Sequence, residues 1–307
     1  ATLILLLVVS SIGLLYLLEA GVKLIFRSWL INGQRRSRFF LFSTLSNFLV
    51  LALVGGSIGV ILVLLVWSFT WRWQFPDFLP ATWSTQFWRN GVLQIGGPIW
   101  NTISTGITAS FLAVILVIGC LENEILMLKR GLKTNTTKIL WLIYLPLLIP
   151  QIAFLFGVQV TLVILRLDGI WLSLVWSHLL FVLPYVFLSL GPIYRSYDQR
   201  ITDVAVTLCR SPWQAFLKVK LPMLMRPVLF SAAIGFSVSV AQYLPTLFIG
   251  AGRFDTITTE AVNLASGSDR RIVSVYALFQ LLTPLMVFLS ALFIPRFYFR
   301  QRKGMQI

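Results

Sequence analysis

Apolar residues run in long unbroken blocks along this chain, separated by short stretches rich in Arg, Lys, Trp and Pro. The blocks cover about Thr2 to Leu18, Phe39 to Phe69, Asn101 to Leu121, Ile139 to Leu165, Ile170 to Ile193, Val228 to Ile249 and Ile272 to Ile294. A helix needs roughly 20 apolar residues to cross the hydrocarbon core of a bilayer, so the pattern predicts an all-α polytopic bundle of about seven membrane spans. Only Arg166, Leu167, Asp168 and Gly169 separate the fourth block from the fifth, which implies an antiparallel helical hairpin. Prolines 146, 150, 184, 245 and 284 fall inside these blocks and predict kinks, because proline removes a backbone donor and frees a carbonyl.

The stretch from Tyr194 to Arg226 is longer than a link between two spans requires. Ile201, Val204, Ala205 and Leu208 follow the i, i+3, i+4, i+7 spacing of a short helix, with Asp203 on another face. After Cys209 and Arg210, Ser211 can cap a second helix, Pro212 suits its first position and Gln214 can complete a capping box. The apolar members of that helix are Trp213, Phe216 and Leu217, and it ends near Leu221-Pro222. Spacing alone leaves two readings open: helices lying in the headgroup region, favoured by Lys218, Lys220 and Arg226, or a surface that docks a partner.

Composition agrees with a lipid environment, since 58% of residues are hydrophobic and 11% charged. The net charge of +15 in a soluble protein would suggest nucleic acid, but here the basic residues flank apolar blocks and set orientation instead. With the amino end outside, the cytoplasmic segments hold 19 of the 25 Lys and Arg residues, including every lysine, against 6 outside. The second connecting segment, then external, carries Trp71, Trp73, Phe75, Phe78, Trp83, Phe87, Trp88 and Trp100, which fits either an interfacial belt or a docking surface.

Candidate chemistry is sparse. Cys120 and Cys209 form no cluster with the lone His178, so neither a disulfide framework, a metal site nor any other cofactor is expected. No Gly-Lys pair occurs, which excludes a P-loop in this chain, and an enzyme is not expected. The acidic residues Glu19, Glu122, Glu124, Asp168 and Glu260 fall at block ends or in loops, which weighs against an ion relay inside the bilayer and so against a gradient-driven transporter. His178, Gln151, Gln159, Gln242 and Gln280 lie within blocks, where interhelical hydrogen bonds and solute contacts are both open to them. Gln242 and Thr246 flank Pro245, so a solute path near that break, with Gln159 and His178, is the expectation for transport.

The 194–226 loop also resembles the coupling loop of binding-protein-dependent ABC importer permeases, whose pattern is Glu-Ala-Ala, three residues, Gly, nine residues, Ile, one residue, Leu-Pro. Asp203, Val204, Ala205, Cys209, Val219, Leu221 and Pro222 stand at the matching positions with the spacing intact. Cys209 replaces the glycine, which puts the turn in question because glycine readily takes positive φ. Asn101-Thr102, Leu145-Pro146, Gln242 to Thr246 and Gly250 to Gly252 extend the likeness over about residues 101 to 296, and Trp73 to Asp77 add to it. The resemblance implies that Asp203, Ala205, Cys209, Trp213, Phe216, Leu217, Leu221 and Pro222 couple the chain to a cytoplasmic ABC ATPase dimer. It implies further a periplasmic substrate-binding protein, a second permease half, and a place in the bacterial inner membrane. It also implies a division of the chain: 1–38 as the last span of an upstream half with a basic link, 39–100 as the first span of this half with the aromatic periplasmic loop, and 101–307 as the core permease domain. Ala1 opens inside an apolar run, so a cleaved signal is not expected and an upstream portion is.

Overall fold

The computed structural model describes residues 40–73, 77, 80–132, 136–209, 211–267 and 269–298, with Tyr16, Leu17, Glu19, Gly21 and Lys23. The first expected span apart from Tyr16 and Leu17, the segment Gln74-Phe75-Pro76, Phe78, Lys133, Arg210 and the basic tail beyond Tyr298 lie outside the described residues. Two compact units divide at Leu62 and Val63.

Most of α1, Phe40–Ser68, belongs to the first unit, and its Thr44–Ser68 portion is apolar and long enough to cross a membrane. The second unit carries a short antiparallel hairpin, β1 Thr70–Arg72 and β2 Thr82–Trp83, and then α2, Gln86–Gln94. Next come α3 Gly96–Lys129, α4 Thr136–Leu148, α5 Gln151–Ile164 and α6 Trp171–Ser196. The 194–226 region folds as α7 Gln199–Leu208, α8 Pro212–Ala215, a π-helical turn Phe216–Lys220 and α9 Leu221–Met223. The chain continues as α10 Met225–Val240, α11 Leu244–Gly250, α12 Ile257–Ser266 and α13 Arg270–Tyr298.

Among the described residues, four helices are long and apolar enough to span a bilayer without interruption, and two bent pairs raise the number to as many as six. The fold is thus the all-α membrane bundle that the apolar blocks predict, but two of the blocks are broken. The fourth bends by 115° between Leu148 and Gln151, where Pro150 cannot donate and itself leaves helical geometry at φ −52 and ψ 121. The sixth stops at Val240 and restarts at Leu244, with Pro245 in the first turn of α11. The third block is longer than its apolar stretch, because α3 carries Glu122 and Glu124 to Lys129 and closes on Gly131 at φ +68. There the Gly131 and Leu132 N–H groups donate back to Leu128 and Met127, the paired bonds that a left-handed glycine permits at a helix end.

The core lies where α3, α6 and α10 meet, around Ala113, Val117, Leu121, Val182, Val186, Leu190 and Tyr194. Small residues set the approach: a Cβ on Gly235 of α10 would stand 2.8 Å from Val186 Cγ2. Lipid tails give helices no hydrophobic reason to associate, so such close backbone packing supplies much of the attraction. A second cluster of Leu155, Leu162, Phe181 and Ile249 joins α5 and α11 to α6.

Candidate coupling face and span network

The loop begins as the sequence predicts. Asp198 caps α7 by accepting the Arg200 N–H, and Ser211 caps α8 by accepting the Gln214 N–H at 3.3 Å, one half of the expected capping box. Between them Cys209 sits in extended backbone, φ −96 and ψ 154, a conformation open to any L-residue. The turn therefore does not require the glycine that the motif carries, and the substitution at 209 imposes no strain.

The apolar stripe of α7 divides. Ala205 is buried, while Ile201, Val204 and Leu208 point to the surface, Leu208 at 83% exposure. In the following segment Trp213 is 66% exposed and stacks at 5.5 Å on half-buried Phe216, with Leu217 exposed beside them. Leu221 and Pro222 are half-buried and lie within a helix that continues to Met223 before the chain bends by 74° into α10. The result is an uncovered apolar face of Val204, Leu208, Trp213 and Leu217.

Charge clamps this face to the bundle from behind. Asp203 pairs with Lys129 in the last turn of α3, while inside the bundle Arg195 at the end of α6 donates twice, at 3.0 Å each, to the Glu124 carboxylate of α3. The second clamp is buried at its lysine end: the Lys220 ammonium donates to Glu122 and, at 3.3 Å, to the Gln199 side-chain carbonyl, while the Tyr194 hydroxyl also donates to Glu122. Lys220 is 1% exposed and lies over the rings of Tyr194, at 4.8 Å, and Tyr197, at 5.7 Å. This corrects the reading of Lys220 as a headgroup-facing charge. Sequence spacing missed the residue because in a regular helix it would share the stripe of Trp213 and Leu217; only the π turn moves it inward.

Within the bundle the structure brings His178 and Thr246 together. His178, 2% exposed on α6, has Nδ1 at 2.8 Å from the Ser239 hydroxyl of α10 and Nε2 at 3.1 Å from the Thr246 hydroxyl of α11. The Thr246 hydroxyl donates to the Gln242 carbonyl at 3.1 Å, so the network assigns the proton to Nε2 and leaves Nδ1 to accept from Ser239. The Gln242 side chain accepts from Gln151 at 3.0 Å. Thr258 of α12 donates to the Val240 carbonyl at the end of α10. Two of the carbonyls near the break, those of Val240 and Gln242, are thus satisfied by threonines. Gln159 lies half-buried on α5, away from this chain of bonds. An apolar groove of about 810 Å³ runs between α5 and the start of α6, lined by Phe154, Val158, Leu162, Leu172 and Trp176.

The aromatic connection folds partly on itself. Trp88 packs between Phe69 and Phe279, and Arg271 lies 4.6 Å over Phe87 while it donates to the Trp71 carbonyl and to Asp269. Trp71, Trp83 and Trp100 remain exposed.

No family model matches the chain. It is 39% identical over 206 residues to the inner membrane ABC transporter permease protein YnjC of Escherichia coli (strain K12), a stretch that makes up 67% of this chain and 38% of YnjC. The chain therefore spans well under two thirds of that relative's length. It is 26% identical over 226 residues to PhnV, a transport system permease protein of Salmonella typhimurium, covering 69% of this chain and 82% of PhnV. Over 93 residues it is 33% identical to the molybdenum transport system permease protein ModB of Azotobacter vinelandii, 30% of this chain and 41% of ModB. Similarity to three permeases, carried on a helical bundle able to cross a membrane several times, makes this chain a member of the ABC transporter permeases.

Proposed function

We propose that the chain is the membrane component of an ATP-driven importer, that its 194–226 loop docks on a separate cytoplasmic ABC ATPase, and that a periplasmic binding protein and a second permease half complete the system. One observation carries the coupling claim: the apolar face of Val204, Leu208, Trp213 and Leu217 is left uncovered on a loop that two ion pairs tie to α3. A rigid, preorganised apolar face loses little entropy on binding, as a docking element requires. The solute path in this reading follows the break between α10 and α11, past Gln242, Thr246 and His178, with Gln159 on α5.

A helix lying in the headgroups would bury the same side chains in lipid, and one substitution separates the two cases. Leu208→Lys puts a charge at the most exposed point of the face. Docking in a protein groove then loses at least about tenfold in affinity, since a desolvated charge has no partner. A helix resting on anionic lipid gains about 1 kcal/mol from the same change. The measurement is co-purification of the membrane component with its ATPase, together with ATP-dependent uptake in vesicles. Full retention and full uptake by Leu208→Lys would refute the docking reading.

A further inference from the structure

We propose that Lys220, held by Glu122 and Tyr194, is the positioning residue through which displacement of the loop face is passed to α3 and α6, an inference that rests on the importer reading above. The geometry begins with the π turn. At the 100° per residue of a regular helix, position 220 would follow Trp213 and Leu217 on one stripe, as i, i+4 and i+7. The Leu221 N–H instead bonds to the Phe216 carbonyl five residues back, and the extra residue in that turn withholds about 100° of rotation. Trp213 and Leu217 stay outside while the Lys220 ammonium is carried into the bundle.

The two clamps differ in what they can transmit. Lys129 and Asp203 are partly exposed, so water can replace either partner and the pair parts at small cost. Lys220 cannot part from its acceptors in the same way. Its ammonium is buried, and separation from Glu122, Gln199 and the two tyrosine rings would leave an uncompensated charge in an apolar setting. Any push on Trp213 or Leu217 therefore moves Glu122 and Tyr194 with it. Those two residues belong to α3 and α6, whose core includes Leu121, Leu190 and Val186 and reaches Gly235 of α10.

The test compares solute transported per ATP hydrolysed, in vesicles containing the whole complex with its ATPase and binding protein. In complexes that retain the ATPase, Lys220→Met is expected to lower solute per ATP hydrolysed by at least about fivefold, the low end of ordinary coupling energies. Lys220→Arg, which keeps the charge, restores most of that ratio, and Tyr194→Phe lowers it in the same direction by a smaller factor. An unchanged ratio in Lys220→Met with the ATPase retained would overturn the proposal while leaving the importer reading intact. Uptake and hydrolysis that fall in proportion would also overturn it, since that marks a folding role alone. Should Lys220→Met aggregate, an unchanged ratio in Tyr194→Phe overturns the proposal equally. Failure of the unmodified chain to retain any ATPase would remove the importer reading and this inference together.

Discussion

The contact between α10 and α6 makes a prediction that can be worked from distances. An alanine at position 235 would place its Cβ 2.8 Å from Val186 Cγ2 and 3.0 Å from Val182 Cγ1. Carbon atoms prefer about 3.5–4.0 Å, so the helices must separate or the valines must leave their rotamers. Overpacking of this kind costs about 1–3 kcal/mol. Against it stands the helix preference of alanine over glycine, about 0.8–1.0 kcal/mol. The control is Gly119→Ala on α3, where nothing lies within 4 Å of the added methyl, so that the propensity gain is all that remains. The same chemical change should thus be neutral or stabilising at 119 and destabilising at 235, with a difference of about 1–3 kcal/mol between the two. Thermal midpoints in detergent, read by size-exclusion after heating, should then differ by about 2–12 °C at 2–4 °C per kcal/mol. Adding Val186→Ala to Gly235→Ala removes the nearer of the two clashing methyls and should recover part of the loss. Equal midpoints for the two glycine variants, or no recovery on the second substitution, would refute the close approach as the source of the packing.

Two further outcomes follow from polar contacts. His178→Leu deletes the partner of Ser239 and Thr246 at once and should cost about 1 kcal/mol, the usual scale for interhelical hydrogen bonds in membranes, read as a lower thermal midpoint with the fold retained; an unchanged midpoint would show that the hydroxyls find other acceptors. Hydrogen bonds from Arg271 hold the Asp269 carboxyl below its ordinary value of 3.8, so the restraint on Arg271 is present above that pH and is lost as pH falls through the lowered value. The fluorescence of Trp71, beside Arg271, should therefore change only below about pH 4, and the change should vanish in Asp269→Asn; a transition between pH 5 and 7 would point to another group.

The sequence determined what a bilayer and local chain chemistry impose. Apolar blocks of spanning length had to become helices, because lipid offers no partner for backbone groups. Ser211 and Pro212 opened α8 where their local preferences place a helix start, and Pro150 and Pro245 marked the two breaks. What the sequence could not decide was the direction in which side chains pointed once a helix departed from regular rotation. Lys220 reads as an exposed lysine beside an apolar stripe, and it became the buried partner of Glu122, 98 residues away, only because a π turn and the end of α3 met. His178 reads first as interhelical glue and second as a solute contact; only the fold shows that its partners, Ser239 and Thr246, come from two separate helices. Cys209 looked like a fault in a turn, and the extended backbone at that position removed the reason for glycine. For Lys220 and His178 the deciding contact lies far along the chain, where periodicity carries no information and only packing brings the partners together.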